Sequence, residues 1–171
     1  MPARAPISEE DIIEVAKLHD KNASAQSVLK QRFLDLGGLG FLGMGVVGML
    51  RNVRVLLLHT NHISRVDNIG SLVNLEVLNL STNKIDMLPD ARVFASLPRL
   101  VVLELNSNRL KHLGTVQGLQ GCVRLRYMSL YWNAVTKIQN YRYFKACLCS
   151  RDASSIDRCC AGRRCFNLYR L

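Results

Sequence analysis

A solenoid of the α/β class, in which a curved parallel β-sheet is backed by helical or 3₁₀ segments, is the architecture the sequence predicts. Three observations lead to it. A pattern of the form apolar-x-x-apolar-x-apolar-x-x-Asn-x-apolar occurs in four copies, starting at Val53, Leu75, Leu100 and Leu125. The steps between those starts are 22, 25 and 25 residues, a spacing typical of repeat architectures. The stretches between copies carry apolar residues at Val66, Ile69 and Leu72, at Leu88, Phe94 and Leu97, and at Leu113, Val116 and Leu119, the spacing of a helical or 3₁₀ segment facing one core.

The chain opens with a capping helix, assigned to residues 1–30. Ser8 precedes the apolar residues Ile12, Ile13, Val15, Ala16 and Leu18, and Asp11 follows it by three, a capping box with Asp in the usual Glu or Gln place. Such a helix seals the open end of a solenoid, whose terminal units need a polar outer face. Residues 31–52 form a degenerate first repeat in which Gln31, Leu34, Leu36, Phe41, Met44, Val47 and Leu50 hold the register and Leu39 takes the Asn slot. Four full repeats follow, over 53–74, 75–99, 100–124 and 125–145, with the lengths of leucine-rich repeats. In each, a short strand turns its first, fourth and sixth residues inward. Asn61, Asn83, Asn108 and Asn133 then satisfy backbone groups where the chain leaves the strand, a structural role. Residues 146–171 form a Cys- and Arg-rich tail, expected to be an irregular end of low functional content.

With 171 residues, 49% apolar and 21% charged, the chain suits one domain with a buried core. Its net charge of +10 inclines it toward polyanions without naming one. The excess lies on the repeats, where residues 31–145 hold 14 basic against 6 acidic groups. The acidic N-terminal region argues against a secretory or transit segment and for an intracellular location. The apolar stretch from Leu34 to Leu50 is broken by Asp35 and six glycines, too interrupted for a membrane span. Five of the six cysteines fall after residue 145, so the fold does not rest on disulfides.

Chemistry is sparse. Gly38-Leu-Gly40-Phe-Leu-Gly43 and Gly43-Met-Gly45-Val-Val-Gly48 both match G-x-G-x-x-G, but the intervening apolar residues belong to the repeat register and the unit is too short for βαβ, so no cofactor is expected. His19, His59, His62 and His112 lie apart from any Ser or Cys partner, and no catalytic function is expected. The tail cysteines lack a C-x2-C pair, which argues against zinc, and the tail lacks the neighbouring membrane element that would favour lipidation.

The concave sheet face remains. Its columns read Phe33, Val55, Val77, Val102, Tyr127, then Asp35, Leu57, Asn79, Glu104, Ser129, with His59, Ser81, Asn106 and Tyr131 further along and Trp132 beside the last. An apolar stripe ending in aromatic residues is what a protein-binding surface requires. The candidate partner-binding set is Val55, Leu57, His59, Asn79, Glu104, Asn106, Tyr127, Tyr131 and Trp132. Arg54, Arg109, Lys111, Arg126 and Lys137, at repeat edges and loops, are candidate contacts for an RNA backbone.

These repeats resemble the short intracellular leucine-rich-repeat class, which includes the A-prime proteins of the spliceosomal U2 snRNP, a phosphatase-1 regulator and axonemal dynein proteins. The sequence is most similar to the U2 A-prime family in its opening Ile7-Ser-Glu-Glu-Asp-Ile-Ile, in Ser96-Leu97-Pro98 before the third full repeat, and in the closing Asn133-Ala-Val135-Thr136 with Tyr141 and Arg142. It departs from that family at Ala134, where proline is usual, and after Phe144, where a helix and closing strand are expected. Cap contacts therefore carry over only to Tyr141 and Arg142. The resemblance implies a nuclear, non-catalytic scaffold without cofactor or small-molecule substrate, whose concave face grips an RRM protein of the B-double-prime type and assists binding of a U2 snRNA stem-loop in splicing. The alternative is a cytoplasmic or flagellar adaptor for dynein, tubulin or phosphatase-1.

Overall fold

The computed structural model describes residues 4–19, 21–139 and 141. Five strands, β1 (Phe33–Asp35), β2 (Val55–Leu57), β3 (Val77–Asn79), β4 (Val102–Glu104) and β5 (Tyr127–Ser129), form one parallel sheet in sequence order. In register, Phe33 faces Val55, Val55 faces Val77, Val77 faces Val102 and Val102 faces Tyr127, so the sequence columns are true ladders across the sheet. Each strand is three residues long. Its central residue, Leu34, Leu56, Leu78, Leu103 or Met128, is buried, and Leu36, Leu58, Leu80, Leu105 and Leu130 follow it into the same core.

The Asn column works as a buried ladder. Asn83 Oδ1 accepts from Ile63 N–H at 3.0 Å, while its Nδ2 donates to the Leu58 carbonyl of the preceding repeat at 2.9 Å and to its own Leu80 carbonyl at 3.1 Å. Asn61, Asn108 and Asn133 repeat this arrangement. Each amide thus satisfies backbone groups of two neighbouring repeats at once. The first repeat has no full repeat before it to receive such bonds, so Leu39 occupies the slot at no cost in unmade hydrogen bonds.

The backing elements are less regular than the spacing predicts. A 3₁₀ turn covers Val47–Met49, helix α3 covers Ala91–Ala95, and 3₁₀ segments cover Leu113–Gly121 and Ala134–Lys137. Between β2 and β3 there is no helix. Val66, Ile69 and Leu72 are buried as expected, but turns carry them. Asn68 sits there with a left-handed φ of 57°, its Nδ2 donates to the Gly45 carbonyl at 2.7 Å, and Ser71 Oγ donates to that of Gly48 at 2.6 Å. Side-chain bonds to the preceding repeat replace those a helix would make internally. At Gly118 an added Cβ would lie 1.8 Å from the Pro89 carbonyl oxygen, which shows how closely the long 3₁₀ segment approaches the α3 region.

The N-terminal end is closed by α1 (Glu9–His19) and a single-turn helix α2 (Ala25–Val28), the latter unanticipated from the sequence. The capping box of α1 forms as expected. Asp11 N–H donates to Ser8 Oγ at 3.2 Å, and Ser8 N–H donates to Asp11 Oδ2 at 2.9 Å. Burial pushes the Asp11 pKa upward, but the hydrogen bonds from the Ser8 hydroxyl and backbone, helped by Arg4 at 2.8 Å, prevail and hold it below the usual aspartate value. Ile12, Val15 and Ala16 are buried, whereas Leu18 is 80% exposed and lies outside the core, a correction to the sequence reading.

Residues 4–7 run beside the glycine-rich segment, with Arg4 N–H bonded to the Gly40 carbonyl at 2.8 Å and Val46 N–H to that of Ile7 at 3.1 Å. A Cβ on Gly45, whose φ is 49°, would meet the Ile7 carbonyl oxygen at 1.8 Å. That glycine admits the N-terminal segment. Phe41, Met44 and Val47 from the same stretch are buried, so the G-x-G-x-x-G matches reflect backbone packing. Among the described residues no helix is long and apolar enough to cross a membrane. Cys122 is buried, while the other five cysteines and Arg142 lie outside the described residues.

Candidate protein-binding surface on the concave sheet face

Alternation along each strand puts the residues flanking its buried centre on the face away from the helical segments. Three residues at about 3.3 Å and five strands at about 4.8 Å make a floor about 10 Å wide and about 19 Å across. On it Val55, Val77 and Val102 are partly covered, and Phe33 and Tyr127 are 54% and 51% exposed at the two ends. Phe33 was missing from the sequence-derived site although the same column contains it. It extends the apolar stripe to β1.

The aromatic cluster gathers at the β5 end, where Tyr131 is 62% and Trp132 85% exposed. Trp132 has a φ of 60°, in the left-handed region. The residue before Asn takes this conformation in every full repeat, at Thr60, Thr82, Ser107 and Trp132. A large aromatic side chain is disfavoured there by roughly 1 kcal/mol or more. Trp132 gains little packing in return, so the fold itself does not account for its presence.

The polar members of the set are held by one another. Asn79 Oδ1 accepts from Ser81 N–H at 2.9 Å, and its Nδ2 donates to Glu104 Oε2 at 2.7 Å. Asn106 Oδ1 accepts from both the Ser129 hydroxyl and Tyr131 N–H. Asn79 and Asn106 therefore fix the positions of Glu104 and the Tyr131 backbone. His59 lies over Gly37, where a Cβ would come within 2.4 Å of its ring, and its Nε2 is 3.7 Å from Asp35 Oδ1. The Ser81 hydroxyl is buried without a partner beneath this network.

The five candidate RNA contacts are not brought together. Arg54 and Arg126 directly precede β2 and β5, at the N-terminal edge of the sheet, whereas Arg109, Lys111 and Lys137 follow β4 and β5 at the opposite edge. Arg54 also pairs with Glu76 at 3.4 Å. The N-terminal edge holds the larger cluster. Lys30, Arg32, Asn52, Arg54 and Asn74 line a shallow pocket of about 340 Å³ there, and Arg99, Arg124 and Arg126 are exposed farther along it. Tyr141 packs partly buried against the core beyond the last repeat, and its N–H bonds the Ile138 carbonyl at 3.0 Å.

Comparison with known proteins places this geometry. A leucine-rich-repeat family model matches residues 14–149. U2 small nuclear ribonucleoprotein A′ of Mycosarcoma maydis is 31% identical over 129 residues, 75% of this chain and 52% of that protein. The probable U2 small nuclear ribonucleoprotein A′ of Caenorhabditis elegans is 33% identical over 91 residues, 53% of this chain and 35% of that protein. The chain thus spans about half or less of the length of these curated relatives. A chain in the crystal structure of the Drosophila melanogaster SNF/U2A′ complex superimposes with a TM-score of 0.68 at 24% identity, covering 77% of this chain and 81% of that one, a likeness of fold. The repeats, the Asn ladder and the matched family agree: the chain belongs to the leucine-rich-repeat family, and within it is similar to the U2 snRNP A′ proteins.

Proposed function

We propose that the chain is a non-catalytic interaction scaffold of the U2 A-prime type, which clamps an RRM protein of the B-double-prime type and assists its binding to a U2 snRNA stem-loop during nuclear pre-mRNA splicing. The observation that carries this reading is the concave face, an uncovered apolar stripe from Phe33 to Tyr127 that ends in Tyr131 and the strained Trp132. The similarity to U2 snRNP A′ proteins supports the choice of partner. Val55, Leu57, Tyr127, Tyr131 and Trp132 provide the contact surface, Asn79 and Asn106 hold it in shape, and Glu104 and His59 supply polar recognition. Phosphate contacts fall to the N-terminal edge, where Arg54 and Arg126 stand with Lys30, Arg32, Arg99 and Arg124. Arg109, Lys111 and Lys137 face away from that edge and contribute less. No step in this function needs a cofactor.

Affinity purification of the tagged protein at mild salt, with co-eluting RNA sequenced and proteins identified by mass spectrometry, tests the reading. Enrichment of U2 snRNA with an RRM protein is expected. Dynein, tubulin or phosphatase subunits in their place would overturn it and make the chain an adaptor in cytoplasm or flagellum.

A further inference from the structure

The floor of the concave face has a charge opposite to that of the molecule around it. Across its three ladders, Phe33 to Tyr127, Asp35 to Ser129 and Gly37 to Tyr131, there is no Lys or Arg, although the chain as a whole carries +10. Two carboxylates stand there, Asp35 on β1 and Glu104 on β4. Asp35 has His59 beside it and accepts from Gly37 N–H at 2.8 Å. Glu104 is half-buried, receives one hydrogen bond from Asn79, and has no cationic group in salt-bridge range among the described residues. A partner that covers the stripe removes water from Glu104. A carboxylate desolvated without a counter-charge costs several kcal/mol, enough to cancel much of the gain from the apolar contacts.

We infer that the segment this face takes is a cationic amphipathic α-helix, whose apolar side lies on the valine stripe and whose Lys or Arg meets Glu104. The inference rests on the concave-face reading above and adds the chemistry of the occupant. A floor about 10 Å wide matches the diameter of one helix lying across the strands. Asp35 lies three strand steps from Glu104, about 14 Å, so a second cation seven or eleven residues away on the same helical face reaches it. Glu104 excludes a helix that places an acidic or bulky neutral group at that point. Asn79 is the positioning residue that aims the carboxylate.

The test is a display selection of helical peptides on the immobilised full chain. The library fixes an amphipathic apolar face and randomises the polar positions, so it needs no natural partner. It is run in parallel on wild type, on Glu104→Gln, which preserves shape and the bond from Asn79, and on Tyr127→Ala/Trp132→Ala. Circular dichroism checks that each variant folds. Wild type is expected to enrich helices with a central Lys or Arg, which bind Glu104→Gln about tenfold or more weakly. Enriched helices without a basic preference, binding equal on Glu104→Gln, or no enrichment over a scrambled library would overturn the inference. Helices selected equally by the aromatic double variant would instead overturn the concave-face reading. A concentration-dependent dimer dissolved by that double variant would assign the face to a second copy of the chain and overturn the inference as well.

Discussion

Replacing Asn83 by Ala probes what holds the repeats together. The substitution removes the Oδ1 acceptor of Ile63 N–H, a buried donor with no other recorded partner, and leaves it unsatisfied at a cost of about 1–3 kcal/mol. The Leu58 and Leu80 carbonyls each lose one donor but keep another, from Asn61 at 3.0 Å and from Asn108 at 2.9 Å, so each adds only about 0.5–1 kcal/mol. The sum is about 3 kcal/mol, a large part of the roughly 5–15 kcal/mol that stabilises a typical domain. Thermal unfolding followed by circular dichroism should show Tm lowered by about 6–12 °C, at about 2–4 °C per kcal/mol for a domain of this size. Asn52→Ala is the control. Asn52 is exposed and makes a single bond to the Leu29 carbonyl at 2.8 Å, so its loss should cost under about 1 kcal/mol. Equal effects of the two substitutions would refute the ladder as the source of inter-repeat stability.

Trp132→Asn should raise stability by about 1 kcal/mol, because Asn tolerates the left-handed φ of 60° and little packing is lost, while partner binding weakens; a fall in Tm would contradict the strain argument. Gly45→Ala drives a Cβ into the Ile7 carbonyl oxygen and should cost about 2 kcal/mol or more, read as faster amide exchange at Ile7 and Val46 with β4 and β5 unaffected. The Asp11 pKa is lower in the folded chain than in the unfolded one, so its contribution is complete above the unfolded value and disappears as pH falls through the folded one. The gap in urea midpoint between wild type and Asp11→Asn should accordingly be widest near neutrality and close below about pH 3, and a gap independent of pH would rule the carboxylate out.

The repeat was legible because its signal is periodic and tied to burial. Leu56, Leu78 and Leu103, with the Asn61, Asn83 and Asn108 amides, sit in one register that any single strand would show only weakly. The concave columns followed directly, since a three-residue strand leaves little choice of which side chains face out. The spacer at Val66–Leu72 was misread because burial there recurs at helical spacing, while Asn68 and Ser71 divert the backbone through side-chain bonds to the previous repeat. Those bonds join residues 23 apart and leave no local signature. Helix α2 is a single turn capped by Ser24 and Ser27, too short for periodicity to register. Leu18 continues the apolar run of α1 yet points to solvent. The split of the arginines between two edges emerges only when each is placed before or after its strand. The acidic character of the floor likewise appears only when the ladders are summed across the sheet.

That character changes what salt can decide. Glu104 and Asp35 make even an RNA-free protein contact salt-sensitive, so loss of binding at high salt does not by itself separate RNA from protein recognition. The most direct measurement is therefore calorimetric titration of the nuclease-treated full chain with a purified RRM protein of the B-double-prime type, compared with Trp132→Ala. Saturable binding that weakens by about 2 kcal/mol or more in the variant is the result expected of an aromatic anchor on the concave face. No binding by the wild-type chain, or the same affinity in the variant, would contradict the clamp.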